Sequence, residues 1–171
     1  ISIPLSGDLK HKDSMGNEAI IKQGDIQVMS AGTGISHSEM NANRDKEVKF
    51  LQIWVFPNQK NVEPRYDQIQ MDERKMKNNF LQVLSPDKND EGVWINQNAW
   101  FSMGLIEKGN TINYELKDTN NGLYAFVIEG AVFVNDEALE IRDGLGITGT
   151  DAFTVTATEN AKLLLMEVPM N

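Results

Sequence analysis

The sequence predicts an all-β fold built from many short antiparallel strands. Short apolar or alternating runs recur along all 171 residues, and clusters of Gly, Asn and Asp separate them. Even spacing of short runs is typical of a sandwich or barrel and not of βαβ units. The runs that we interpret as strands are Ile1–Leu5, Ile26–Met29, Val48–Phe56, Phe80–Leu84, Trp100–Leu105, Thr111–Leu116, Leu123–Ile128, Ala131–Val134, Gly146–Thr148, Phe153–Ala157 and Lys162–Val168.

Turn signals between the runs support this interpretation. The segments Asp13–Asn17 and Thr119–Gly122 are rich in residues that favour turns, and Asn135-Asp136 is typical of a hairpin tip. Tyr66–Asn78 differs, because its mixed charge and spaced apolar residues predict a short helix or an ordered crossing loop. A weak internal repeat, in which a turn of Gly and Asp opens a strand in each half, is consistent with two copies of one small barrel. Chance similarity between β-rich segments is the alternative.

Composition limits the classes of function. The chain is 40% hydrophobic and 24% charged, and its 16 Lys and Arg against 25 Asp and Glu give a net charge of −9. This charge repels phosphate backbones and anionic lipids, so we expect no direct nucleic-acid partner and no membrane partner. The absence of cysteine excludes disulfides and thiolate ligands. No apolar run approaches the ~18 residues of a membrane span, and Ile1 opens directly into strand-like sequence, so we expect a cytoplasmic protein.

A His-x-Glu pair is the sharpest candidate site. The chain contains two histidines, His11 and His37. His37 and Glu39 are two residues apart, so on a strand their side chains project from the same face. An imidazole and a carboxylate that converge in this way are ligand types of a non-haem Fe(II) or similar divalent site. The alternative for this pair is an ordinary solvated strand face or loop.

We interpret the other histidine, His11, as a surface residue. His11 lies in the charged segment Asp8–Asp13 just before a turn. A third metal ligand is the alternative, and it would require the fold to bring His11 close to His37.

The remaining features are interpreted as structural. No histidine follows His37, which excludes a second histidine-based metal site in the rest of the chain. Large aromatic side chains are more often core or domain-interface residues than substrate platforms. We assign that role to the three tryptophans, Trp54, Trp94 and Trp100.

The segment before the His-x-Glu pair carries a family resemblance. In Gly24–Glu39 a turn, a strand and a Gly-rich bend precede the pair, and Gly32 and Gly34 can adopt positive φ. This segment, Asp13–Asn17 and Leu51–Val55 resemble motifs of the pirin family of the cupin superfamily, in the family's order. The second cupin domain of that family is similar to Gly122–Gly130, Asp143–Ala157 and Leu164–Pro169, so the resemblance covers essentially the whole chain.

The resemblance implies an all-β bicupin. Such a protein has two facing antiparallel β-barrel domains of the jelly-roll type, and the first domain holds one metal ion. It assigns residues 1–60 to the N-terminal metal-site domain and 61–78 to a connecting segment. Residues 79–171 then form a C-terminal cupin domain without metal ligands.

The resemblance also implies a ligand set. The family binds its metal through three His and one Glu, and His37 and Glu39 match the last two of these. The first two belong to a His-Pro-His-type segment a few residues before the strand that begins here at Ile1, and the chain contains no such segment. We therefore expect that the chain lacks its N-terminal region and that its first barrel is open. A short gene product that has lost its metal is the competing hypothesis.

Three functional hypotheses follow from the resemblance. The first is an Fe(II)-dependent dioxygenase of the quercetin 2,3-dioxygenase type, with His37 and Glu39 as metal ligands. In it Glu39 also accepts a proton from a flavonol-like aromatic substrate, whose ring occupies an apolar pocket. The second is a metal-binding regulatory protein, a transcription cofactor or redox sensor that contacts a protein partner without catalysis. The third is a metal-free chain whose fold persists without function.

Overall fold

A computed structural model describes residues 1–170. They form seventeen strands and one short helix. None of their helices combines the length and apolar character needed to cross a membrane. The elements in chain order are β1 (Ser2–Ser6), β2 (Leu9–Asp13), β3 (Glu18–Ile21), β4 (Asp25–Ser30), β5 (His37–Asn41), β6 (Lys49–Gln52), β7 (Arg65–Gln70), α1 (Glu73–Met76), β8 (Phe80–Ser85), β9 (Val93–Trp94), β10 (Trp100–Ile106), β11 (Thr111–Glu115), β12 (Asn121–Glu129), β13 (Val132–Val134), β14 (Glu137–Leu139), β15 (Gly144–Ile147), β16 (Ala152–Ala157) and β17 (Ala161–Pro169).

The chain divides into two compact units. The first unit comprises Ile1–Met71 and Pro86–Gln97, and the second comprises Asp72–Ser85 and Asn98–Asn171, of which Asn171 lies outside the described residues. The predicted division into residues 1–60, 61–78 and 79–171 stays a prediction about domains. The compact units are drawn differently, because 61–71 and 86–97 both cluster with the first unit.

Two antiparallel sheets form most of the first unit, with strand orders β6-β1-β4-β7 and β3-β2-β5. On one face of the larger sheet, Ile3, Ile26 and Val28 are buried apolar residues. Successive residues of a strand point to opposite faces, so the other face carries Ser2 and Gln27, which are register partners. Both are buried as well. The larger sheet is therefore covered on both sides, and one of its buried faces is polar.

The Gly-rich bend before β5 has the conformation that the sequence predicts. Gly32 has a φ of 55° and Gly34 a φ of 141°, both in the region that favours glycine. A Cβ added to Gly32 would overlap the backbone carbonyl oxygen of Val62. The neighbouring Thr33 N–H donates to that oxygen at 3.0 Å. The bend therefore needs glycine at position 32, and it leads directly to His37 at the start of β5.

The second unit contains two antiparallel sheets. Five of its strands are ordered β15-β12-β17-β10-β8, and four are ordered β11-β16-β13-β14. β17 pairs with β10 on one side and with β12 on the other, along nearly its whole length. Both sheets contribute to one apolar core, whose members include Leu123, Val127, Val132, Val134, Tyr114, Phe153, Val155, Leu163 and Leu165.

The predicted all-β fold class is confirmed. Every run interpreted as a strand overlaps an observed strand, and the Asn135-Asp136 hairpin tip joins β13 to β14, with Asn135 at a φ of 50°. Within residues 1–170 the strands form open sheets of the jelly-roll cupin type and not closed barrels.

Several elements differ from the sequence interpretation. The segment Tyr66–Asn78 begins inside the strand β7. All six residues of β7 pair with β4, and this pairing outweighs local propensity. The predicted helix is confined to α1, where the Asp72 side chain accepts a hydrogen bond from the Arg74 N–H. β2 and β3 were not predicted, because lysine, aspartate and glutamate mask their alternation.

The interpretation of Trp54 as a core residue is wrong. Its side chain is 88% exposed, and that of Phe56 is 91% exposed. Both follow Gln52, where β6 ends, so they lie beyond the sheet. The other two tryptophans are half-buried, and the Arg65 guanidinium lies 4.1 Å above the centre of the Trp94 ring.

Candidate metal centre

His37 and Glu39 lie on the same face of β5, as their spacing predicts. β5 pairs with β2 in antiparallel register, in which Asp13 faces His37 and His11 faces Glu39. Directly opposite residues of an antiparallel pair have their side chains on one face, with Cβ atoms about 5 Å apart. Two imidazoles and two carboxylates are therefore grouped on one face of the smaller sheet.

The Glu39 carboxylate is held from both sides. Ser2 Oγ donates to Oε1 at 2.9 Å, and Gln52 Nε2 donates to Oε2 at 2.8 Å. These donors belong to β1 and β6 of the larger sheet, so Glu39 bridges the two sheets of the first unit. A carboxylate oxygen has two lone pairs, and each oxygen of Glu39 therefore keeps acceptor capacity for a metal ion or a substrate proton.

His37 occupies a more open position. It is the first residue of β5 and is exposed. Its ring centre lies 5.7 Å from that of His11, with 23° between the ring planes. This stacked contact joins the two histidines of the chain.

The interpretation of His11 as a surface residue is wrong, because its exposure is 0%. Alternation along β2 turns His11 and Asp13 inward, while Lys10 and Lys12 point outward. His11 Nε2 lies 3.1 Å from Asp13 Oδ2. Among the described residues, Nδ1 of His11 has no hydrogen-bond partner.

Asp13 is the most densely bonded side chain of this group. Besides His11, it accepts hydrogen bonds from the Met15 N–H and from the backbone and side-chain amides of Asn17, at 2.9–3.0 Å. Burial raises the pKa of Asp13, but the hydrogen bonds from Asn17, His11 and Met15 outweigh it and lower the pKa to about 2. Asp13 is therefore an ionised acceptor at neutral pH.

The face of the larger sheet next to Glu39 is polar, in contrast to the expected apolar pocket. The Tyr66 hydroxyl donates to Gln68 Oε1 at 2.7 Å, and Gln68 Nε2 donates to Asp25 Oδ2 at 2.7 Å. Burial, followed by the charges of nearby carboxylates that include Asp13 and Asp25, raises the pKa of Tyr66 to about 12. Tyr66 is therefore a neutral donor in a network of hydrogen bonds.

The donor types of this site suit a divalent ion, but their number is small. Imidazole nitrogen and carboxylate oxygen are common ligands of non-haem iron and of other divalent metals. Residues 1–170 contain no group of three or more His, Asp or Glu side chains placed to hold a metal ion. His37 and Glu39 thus offer two donors of suitable types, and a complete ligand set would need further donors.

Sequence reasoning missed the residues that hold the site. His11-x-Asp13 has the same spacing as His37-x-Glu39, and this repeated pattern was the available signal that both pairs face one side. Ser2 and Gln52 gave no such signal, because their contacts with Glu39 depend on pairing between strands and not on spacing.

Two family models match the chain. Residues 1–55 match the model described as Pirin. Residues 82–168 match the model described as Quercetinase C-terminal cupin domain. The two matches lie in the order that the sequence motifs indicate.

Curated relatives and solved structures agree with these matches. The chain is 32% identical over 165 residues to quercetin 2,3-dioxygenase of Escherichia coli K12, covering 96% of this chain and 70% of the relative. It is 34% identical to a putative quercetin 2,3-dioxygenase of Pseudomonas aeruginosa, covering 98% and 72%. The crystal structure of YhhW from Escherichia coli superposes with a TM-score of 0.92 at 30% identity, covering 98% of this chain and 70% of YhhW. The structure of YhhW in complex with nickel(II) gives a TM-score of 0.90 at 29% identity, covering 98% and 71%. The chain therefore belongs to the pirin family of bicupin proteins.

Proposed function

We propose that the first unit contributes His37 and Glu39 to a divalent-metal centre, with Fe(II) as the metal. We further propose that the centre catalyses oxygenation of a flavonol-like aromatic substrate. The observation that carries the proposal is the fixed Glu39 carboxylate, held by Ser2 and Gln52 on the same strand face as His37. Preorganised ligands of this kind are typical of metal sites.

The relatives support the metal and the substrate class. Several are named quercetin 2,3-dioxygenase, and YhhW has been crystallised with nickel(II). These names and titles describe those proteins, and the proposal extends them to this chain.

Each residue of the site has a proposed role. His37 binds the metal through a neutral imidazole nitrogen, and Glu39 binds it through a carboxylate oxygen. Glu39 also accepts the proton of the substrate hydroxyl, while Ser2 and Gln52 keep its carboxylate in one orientation. A bound divalent ion supplies Lewis-acid polarisation of a substrate oxygen.

A second candidate function is a metal-binding interaction protein without catalysis. Trp54 and Phe56 are exposed by 88% and 91% and are two residues apart. Exposed aromatic residues are enriched at protein–protein contacts. In this alternative the metal centre regulates contact with a protein partner and does not turn over a flavonol.

The test combines metal content with turnover. The full chain is loaded anaerobically with Fe(II), desalted, and analysed for bound iron and for oxygen consumption with quercetin. We expect about one iron per chain, as for a single site, together with quercetin-dependent oxygen uptake. His37→Ala and Glu39→Ala should remove the iron, whereas Ser38→Ala, which changes the opposite face of β5, should retain it.

Each outcome has a distinct meaning. Iron binding that depends on His37 and Glu39 without oxygen uptake would reject the dioxygenase and favour the interaction protein. Iron content unchanged in both variants would reject the metal centre, and no iron in any of the proteins would show that His37 and Glu39 alone do not hold the ion.

A further inference from the structure

A chain of contacts leads from the turn after β2 to the His37 ring. The Met15 N–H and the Asn17 N–H both donate to Asp13 Oδ1, and the Asn17 side-chain amide donates to Oδ2. The Asp13 carboxylate is therefore fixed by the backbone of its own turn. The same Oδ2 faces His11 Nε2 at 3.1 Å.

This contact defines the state of the His11 ring. Asp13 is an ionised acceptor, so the hydrogen between Oδ2 and Nε2 is carried by His11. Nδ1 is buried without a partner among the described residues, which is less costly for a lone pair than for an N–H group. The geometry therefore favours the tautomer with the proton on Nε2.

The fixed His11 ring is packed between aromatic neighbours. Its centre lies 4.9 Å from that of Tyr66 and 5.7 Å from that of His37. His37 itself is exposed, and its ring stacks against that of His11. Aromatic pairs at such separations stabilise each other beyond the effect of their buried area.

We infer that Asp13 and His11 are positioning residues for His37: Asp13 orients the His11 ring, and the His11 ring holds the imidazole of His37 by stacking. This inference deepens the proposed function, on which it rests for the role of His37 as a ligand. Partners that orient a ligand commonly change metal affinity by about tenfold or more when they are removed. Glu39 and His37 are then held by separate contacts. Hydrogen-bond donors of the larger sheet hold Glu39, and the ring of His11 holds His37.

The first test uses the metal-free protein. Because the chain has two histidines, its imidazole NMR spectrum contains two ring systems, and His37→Ala assigns them. We expect the His11 ring to be protonated at Nε2, and we expect His11→Ala to shift and broaden the His37 ring signals. His11→Phe retains an aromatic ring and should leave the His37 signals closer to those of the native protein. Lys12→Ala, on the outward face of β2, is the matched control and should change neither ring.

The second test uses Ni(II) affinity, measured by titration of the full chain. We expect Asp13→Asn to weaken Ni(II) binding by about tenfold in the native background. The same substitution should have little effect in the His11→Phe background, because the phenyl ring has no nitrogen for Asp13 to hold. A purely structural role of Asp13 would give the same loss in both backgrounds.

The results separate this inference from the proposed function. The positioning role is rejected if His11→Ala leaves the His37 ring signals unchanged, or if Asp13→Asn weakens Ni(II) binding equally in both backgrounds. If the ring signals respond as expected but His37→Ala binds Ni(II) like the native chain, His37 is positioned but is not a ligand. That second outcome rejects the proposed metal centre and retains the contact between the rings.

Discussion

At the scale of single residues, the two carboxylates of the site are held in different ways. Glu39 is bonded by two side chains from other strands, and it is partly exposed. Asp13 is buried and bonded mainly by its own turn. Glu39 is therefore the carboxylate available to an external ion, whereas the hydrogen bonds of Asp13 are made within the protein.

The lowered pKa of Asp13 predicts a dependence of stability on pH. Its pKa falls from 3.8 to about 2 on folding. The ionised side chain therefore stabilises the fold above pH 3.8, and this contribution disappears as the pH falls through 2. At neutral pH it amounts to about 2 kcal/mol. Asp13→Asn should lower the free energy of unfolding by that order and flatten its pH dependence in this window.

Urea denaturation at several pH values between 2 and 6 measures this effect. Glu18→Gln is a suitable control, because that glutamate also has a lowered pKa, through its hydrogen bond with Lys10, but lies on the surface. It should change stability much less than Asp13→Asn does. Equal pH profiles for the native chain and Asp13→Asn would show that Asp13 is not selectively stabilised in the folded state.

At the scale of elements, the bend before β5 controls where His37 begins. Gly32 and Gly24 both have positive φ, at 55° and 90°. A Cβ at position 32 would meet the Val62 backbone, whereas a Cβ at position 24 would have open space around it. Gly24→Ala therefore tests only the backbone strain of an alanine at positive φ. Gly32→Ala causes the same strain and also displaces the bend.

We expect Gly24→Ala to cost about 1 kcal/mol and Gly32→Ala clearly more. Thermal unfolding and Ni(II) titration of both variants provide the measurement. Gly32→Ala should also weaken Ni(II) binding, because β5 starts five residues later at His37. Similar losses of stability in the two variants would mean that the bend moves away from Val62 without cost.

The connection between β11 and β12 is fixed by a buried glutamate. Glu167 on β17 accepts hydrogen bonds from the Tyr114 hydroxyl, the Asn121 side chain and the backbone N–H groups of Lys117 and Asp118. Its exposure is 0%. The carboxylate thereby ties the connection between β11 and β12 to the central strand of the second unit.

Replacing Glu167 should destabilise the second unit. Glu167→Gln retains the volume but places an amide N–H₂ among donors, so we expect a loss of about 3 kcal/mol. Chemical denaturation measures it, and Glu129→Gln, at an exposed position of β12, is the control. A loss below 1 kcal/mol would show that the donors find other acceptors when the carboxylate is removed.

At the scale of the whole molecule, the sequence reveals the fold class because alternation and turn residues are local signals. They define the strands of the second unit well, where apolar runs such as Leu123–Ile128 bury most of their side chains. They miss β2 and β3, whose charged residues hide the alternation, and β7, which is largely polar. Pairing with other strands makes these segments strands.

The sequence likewise predicts only part of the candidate site. The spacing of His37 and Glu39 predicts their common face, but the burial of His11 follows from its position on the central strand of the smaller sheet and beside Tyr66. The hydrogen bonds of Ser2 and Gln52 to Glu39 span 37 and 13 residues and have no signature in the sequence. The resemblance to the pirin family supplied the rest of the interpretation, and the family matches confirm that the chain belongs to this family.

Anomalous X-ray diffraction at the nickel edge, from crystals of this chain loaded with Ni(II), locates a bound ion directly. We expect one anomalous peak within bonding distance of a His37 ring nitrogen and a Glu39 carboxylate oxygen. The same peak should be absent from Glu39→Ala crystals treated identically and present in Ser38→Ala crystals. A peak elsewhere on the molecule, or one that persists without Glu39, would contradict the assignment of this strand face as the metal centre.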